Sequence, residues 1–153
     1  MQPLKPVLLV EDDNVDAMTV KRAMRDLQAG HSIIHSINGE EAMKYLTTSD
    51  MERPFLILLD LNMPKMNGIE FLKVIKAHPE LKTIPIIVLT TSKEKRDILE
   101  SFELGASGYM IKPVDYSKFV EILGKIMTYW NTSELPKPEL MLAEIHRNFN
   151  APL

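Results

Sequence analysis

The chain has 153 residues, no cysteine and a formal charge of −3, with 18 Lys plus Arg against 21 Asp plus Glu. That length predicts one domain with a full core, and 45% hydrophobic with 25% charged residues is an ordinary globular composition. The balance excludes the basic footprint of a nucleic-acid binder, the missing cysteines exclude disulfides and thiolate metal sites, and no apolar run reaches a membrane span. The first six residues lack the apolar core of a signal peptide, so the chain is expected to be cytoplasmic.

Val7-Leu8-Leu9-Val10 predicts a buried strand that ends abruptly in Glu11-Asp12-Asp13. Asp13 or Asn14 is placed to cap a helix whose apolar positions Ala17, Val20, Met24 and Leu27 recur at helical spacing, with Gly30 at its end. Residues 31–37 form a weaker strand pattern. Asn38-Gly39 then turns into a helix bearing Ala42, Met43, Tyr45 and Leu46. The run from Leu56 to Leu59 leads straight into Asp60, and Pro64 ends any regular pairing. Asp60 as a helix cap is the plainer alternative, but helix-forming residues resume only near Gly68.

Ile69, Leu72, Val74 and Ile75 predict a helix that stops near His78-Pro79. Ile86-Ile87-Val88-Leu89 is another apolar strand, ending in Thr90-Thr91-Ser92. Residues 93–104 read as a polar helix with Ile98, Leu99 and Phe102 inward. Gly108-Tyr109-Met110-Ile111 is a fifth strand, ending in Lys112-Pro113. A last helix from about Asp115 carries Phe119, Ile122, Leu123, Ile126 and Trp130 on one face. Strand and helix thus alternate, which argues for an α/β protein with a parallel sheet covered by helices on both faces.

Four of the five apolar runs end in a charged or reactive group: Glu11 and Asp12, Asp60, Thr90, and Lys112. Parallel strands share a direction, so these groups gather at one sheet edge, where open α/β sheets bind ligands. Close carboxylates repel unless a cation neutralises them, and an oxygen-only donor set suits Mg²⁺ with waters and phosphate oxygens. An Asp carboxylate is also a nucleophile able to form an aspartyl phosphate. Phosphoryl transfer asks mainly for positioning and positive charge, which a metal and Lys112 would supply, with Thr90 donating a hydroxyl hydrogen bond.

The segments Val10-Glu11-Asp12-Asp13, Leu58-Leu59-Asp60-Leu61-Asn62-Met63-Pro64 with Gly68, Leu89-Thr90-Thr91 and Gly108-Tyr109-Met110-Ile111-Lys112-Pro113 together resemble response-regulator receiver domains of two-component signalling. The resemblance implies a flavodoxin-like, doubly wound five-stranded sheet of order 2-1-3-4-5. It implies Asp60 as the acceptor, phosphorylated by a sensor histidine kinase or a histidine phosphotransfer protein. It also implies Mg²⁺ held by Asp12 and Asp60, by Glu11 through water and by the Asn62 backbone carbonyl. Pairing Asp12 with Asp13 is the alternative register. Thr90 and Tyr109 match the switch pair of the family. Asn62 and Ser92 match positions that tune phosphoryl lifetime.

Val114 stands where the family often has Phe, and Thr91 where Ala is common. The Arg53-Pro54 lead-in and the Tyr129-Trp130 ending resemble small regulators that partner bacterial phytochromes, which implies dimerisation through the last strand and helix. The expected organisation is a stand-alone receiver over residues 1–130 and an extension over 131–153, with Pro138 opening a short helix striped by Leu142, Ile145 and Phe149. The four histidines, His31, His35, His78 and His146, show no metal spacing and read as structural or surface residues. Met63 and Met66 flank the loop after Asp60 and are placed to line a partner surface.

Three other functions compete with this one. A turnover phosphatase with an Asp nucleophile would usually carry an acid two residues on, where this chain has Asn62. A flavin carrier would need a phosphate-binding loop after the first strand, where this chain has acids that repel phosphate. A scaffold using the fold alone would not need Asp60, Thr90 and Lys112 together.

Overall fold

The apolar runs become five parallel strands in the computed structural model, which describes residues 4–135. In chain order the elements are β1 (Val7–Val10), α1 (Asn14–Asp26), β2 (Ile33–Ser36), α2 (Gly39–Leu46), β3 (Leu56–Leu59), α3 (Gly68–Lys76), β4 (Ile86–Thr90), α4 (Lys95–Glu103), β5 (Gly108–Ile111) and α5 (Tyr116–Thr132). The sheet order is β2-β1-β3-β4-β5, as expected, and every neighbouring pair is parallel. The expectations for the Pro138 helix, its stripe and His146 lie outside the described residues.

Strand side chains alternate faces, and both faces are covered. Leu8, Val10, Ile57, Leu59, Ile86 and Val88 pack with Ala42, Leu46, Phe71, Leu72 and Ile75, beneath α2 and α3. Val7, Leu9, Leu56, Leu58, Ile87 and Leu89 pack with Ala17, Val20, Met24, Phe119, Leu123 and Ile126, beneath α1 and α5. Burial on both sides explains why β1, β3 and β4 are unbroken apolar runs: each inward Leu, Ile or Val contributes about 1.5–3 kcal/mol.

Several expectations are corrected. Leu99 and Phe102 do not point inward; they are 61% and 49% exposed, and the one buried residue of α4 is Ser101. The α3 helix forms as expected, with Phe71, Leu72 and Ile75 buried and Val74 exposed. Met63 is buried in the core beneath α2 and α3, so it lines no partner surface, and Met66 packs half-buried against that same core. The first helix ends at Asp26, because Gln28 already adopts a left-handed conformation with φ of 52°, before Gly30 at 77°.

The loop after β3 is held by a close backbone approach. Gly68 N–H donates to Leu61 O at 3.1 Å, and a Cβ on Gly68 would sit 2.6 Å from the Asp60 carbonyl oxygen. Only glycine fits there, so the start of α3 presses directly on the Asp60 backbone.

Candidate functional site

The crevice lies where the connections leaving β1 and β3 diverge to opposite sides of the sheet. Asp60 N–H donates to Val10 O at 3.0 Å, which locks the residue after β3 beside the residues after β1. One carboxylate oxygen each from Glu11, Asp12 and Asp60 lies within 4.8 Å of the others. Glu11 and Asp60 are buried and Asp12 is exposed, so one carboxylate opens to solvent beside two shielded ones.

Helix capping does not account for Glu11, Asp12 or Asp60. Asp13 is the residue that caps α1, accepting from Val15 N–H at 2.8 Å and Asp16 N–H at 3.0 Å. The cap of α3 is Asn67, which accepts from Glu70 N–H at 3.0 Å. Asp60 is left unused by local structure.

The other strand ends reach the same edge. Lys112 N–H donates to Thr90 O at 2.8 Å, and the Lys112 ammonium donates to Glu11 Oε1 and to Asp16 Oδ2, the latter at 3.1 Å. Thr90 is fully buried, and its Oγ1 accepts from Ser92 N–H at 3.4 Å. Tyr109 is half-buried, with its hydroxyl donating to Ser92 O at 2.9 Å. The Ser92 hydroxyl in turn donates to Asp97 Oδ2 at 2.6 Å, tying this loop to the first turn of α4. Asn62 is exposed in the loop two residues after Asp60.

Burial pushes the Glu11 carboxyl up to about 8; the Lys112 hydrogen bond pulls it down and the Asp60 charge pushes it further up. Burial pulls the Lys112 ammonium down, but its hydrogen bond to Glu11 and the charges of Asp60 and Glu11 hold it above its ordinary value. These directions are in tension, since a neutral Glu11 grips Lys112 less. The charged lysine is the firmer of the two, because Asp16 and Asp60 hold it independently of Glu11.

The cluster therefore crowds three acids against one ammonium, and burial, with the Asp60 charge beside it, raises the proton affinity of Glu11. Its donors are all oxygens, so the residues present fit a hard divalent ion.

The fold and this edge define a receiver, and the chain belongs to the response-regulator receiver domain family, whose model matches residues 7–124. It is similar to the response regulator Rcp1 of Synechocystis sp., with 37% identity over 139 residues, covering 88% of this chain and 95% of that protein. Among solved structures it is similar to the phosphorylated cyanobacterial phytochrome response regulator RcpA, with a TM-score of 0.81 and 37% identity, covering 87% of this chain and 99% of that one. The Mn²⁺-bound form of Rcp1 has a TM-score of 0.80 at 37% identity, covering 88% of this chain and all of that one (100%). Receiver domains take a phosphoryl group from histidine kinases onto an aspartate and bind a divalent metal. They work as signalling modules in two-component phosphorelays. Among the described residues, no helix is long and apolar enough to cross a membrane.

Two residues at this edge escaped sequence reasoning. Asp16 joins the Lys112 ammonium from α1, although 96 positions separate the two, and its only sequence signal is an acid in the first turn of a helix. His35, read as structural or surface, bonds through Nε2 to the Glu11 carbonyl oxygen at 2.7 Å. The remaining described histidines fit the structural reading: His31 stacks on Phe55 at 4.3 Å, and His78 accepts from Glu80 N–H at 3.2 Å.

Proposed function

We propose that Asp60 is the phosphoryl acceptor and that the reaction is Mg²⁺-dependent. The approach of the Glu11, Asp12 and Asp60 carboxylates beside the Lys112 ammonium carries this reading. An Asp60 oxygen forms the new bond to phosphorus while the phosphorus–nitrogen bond of a phosphohistidine breaks, and the imidazole leaves with the electron pair and takes a proton from solvent. Bound Mg²⁺ would be held by Asp12 and Asp60, by Glu11 through water and by the Asn62 carbonyl, and would neutralise phosphoryl oxygens. Lys112 supplies the protein's own positive charge, and the Thr90 hydroxyl donates to a phosphoryl oxygen.

Thr90 and Tyr109 form the switch in this reading. Both already meet at Ser92, so movement of the Thr90 hydroxyl toward a phosphoryl group is felt by Tyr109 and by α4. The chain then catalyses only its own phosphorylation and dephosphorylation. Asn62 supports that limit, since no acid stands two residues after Asp60 to serve turnover. The test is intact mass after incubation with acetyl phosphate. One phosphoryl adduct forms with Mg²⁺ and none forms with a chelator; no adduct in either case overturns the reading.

The Glu11 shift gives this site a pH signature. Its folded value of about 8 lies above the ordinary 4.5, so its contribution to metal-free stability is full below about 4.5 and is lost as pH rises through about 8. Metal binds the ionised form, so its benefit grows over the same window. Excess Mg²⁺ is therefore expected to raise the melting temperature more at about pH 8 than at about pH 5. Equal shifts at both would contradict the assignment of Glu11.

The partner proposed is a phytochrome-type sensor kinase or a histidine phosphotransfer protein in the cytoplasm, on the likeness to Rcp1 and RcpA. We also propose a homodimer through the last strand and helix. Supporting it, β5 is an edge strand with Ile111 exposed, Tyr129 on α5 is 62% exposed, and Leu99 and Phe102 on neighbouring α4 face solvent. Light scattering is expected to report a dimer for the native chain and a monomer for Ile111→Glu with Tyr129→Glu. A native monomer at all concentrations, phosphorylated or not, would sink the dimer.

A further inference from the structure

In the β1–β2 ladder every second residue of β1 donates its N–H to β2 one position back and accepts from one position ahead, while the residues between pair with β3. Val7 shows the pattern, paired with Ile33 and donating to Ser32 O at 2.9 Å. Glu11 keeps the first half, donating to Ser36 O at 3.0 Å. The second half would need Asn38 N–H, but β2 ends at Ser36 and Asn38 has turned away to cap α2, accepting from Glu41 N–H at 2.8 Å. The Glu11 carbonyl is thus stranded at the rim of the carboxylate cluster. His35, facing it from β2, fills the gap with its ring, Nε2 to Glu11 O at 2.7 Å. A carbonyl only accepts, so Nε2 carries the hydrogen.

We propose that His35 is a positioning residue for the divalent cation of the acceptor site. The inference rests on the reading of Glu11, Asp12 and Asp60 as metal ligands. Glu11 is gripped on both sides: Ser36 O holds the Val10–Glu11 peptide at its N–H, and the His35 ring holds the plane of the Glu11–Asp12 peptide at the Glu11 C=O. The Asp12 carboxylate is exposed and hangs from that plane one residue on, so the plane aims it at Asp60. Among the described residues no side chain hydrogen-bonds the Asp12 carboxylate, which leaves its backbone to direct it. Ligands oriented by a partner outside the coordination sphere lose affinity when that partner is removed.

The test uses calorimetric titration of the full chain with Mg²⁺ or Mn²⁺ alone. His35→Ala is expected to raise the dissociation constant about tenfold. His35→Gln, whose amide nitrogen reaches the place of Nε2, is expected to stay within about threefold of native, whereas the shorter His35→Asn falls with Ala. Saturating metal then restores the rate of phosphoryl adduct formation in His35→Ala. A residue that serves only stability would lower the melting temperature and leave the metal constant unmoved. If the Ala variant does not fold, the Gln and Asn pair decides. Native affinity in His35→Asn, or a loss in Gln equal to that in Asn, overturns the inference. Failure of the native chain itself to bind metal overturns the ligand assignment instead.

Discussion

Asp60→Asn is expected to abolish the phosphoryl adduct altogether, since an amide cannot replace the carboxylate nucleophile and none of the neighbouring acids is placed to do so. Glu11 is bound to Lys112, Asp13 is spent on the α1 cap, and Asp12 lies out at the solvent edge. The substitution removes a negative charge from a crowded cluster of acids, so the metal-free variant should melt no lower than the native chain. Its metal affinity should fall, because one proposed ligand of the site has become neutral. The two readouts move in opposite directions, which separates loss of the acceptor from general damage to the fold. Intact mass, a melting curve and a metal titration on the same preparation check all three.

Lys112→Met should leave the adduct possible but slow, by about a hundredfold, the usual cost of removing one preorganised donor to developing charge. The side chain is 9% exposed and is the one ammonium paired with these carboxylates among the described residues. Loss of a buried pair partner ordinarily costs about 3–5 kcal/mol. Here the cost is softened, because Glu11 already holds a proton more tightly than a free carboxyl does. Metal affinity should be undiminished, since a competing positive charge has gone. Progress curves of adduct formation at saturating Mg²⁺ measure the first effect and a titration the second. A native rate in Lys112→Met would remove the lysine from the chemistry.

The parts of the fold legible in the chain are those where one residue pattern has one physical cause. Leu56 to Leu59 and Ile86 to Leu89 are apolar without alternation because helices cover both faces of β3 and β4. Asp60, Thr90 and Lys112 could be gathered in advance because parallel strands share a direction. Leu99 and Phe102 misled for the opposite reason: helical spacing marks an apolar stripe without saying what covers it, and here they face solvent. On α3 the apolar spacing predicts the helix itself, while only packing sets that Phe71 is buried and Val74 exposed. Asp16 and His35 were hidden because their roles exist only across the fold. One reaches Lys112 from another element, and the other serves a carbonyl that the end of β2 leaves without a ladder partner.

The most direct measurement is the location of the adduct. Acetyl phosphate with Mg²⁺, followed by hydride reduction of the acyl phosphate and peptide mapping, should recover Asp60 as homoserine and leave Glu11, Asp12 and Asp13 intact. Reduction at any of those three in place of Asp60, or an adduct that survives as a phosphoester elsewhere, would contradict the site described above.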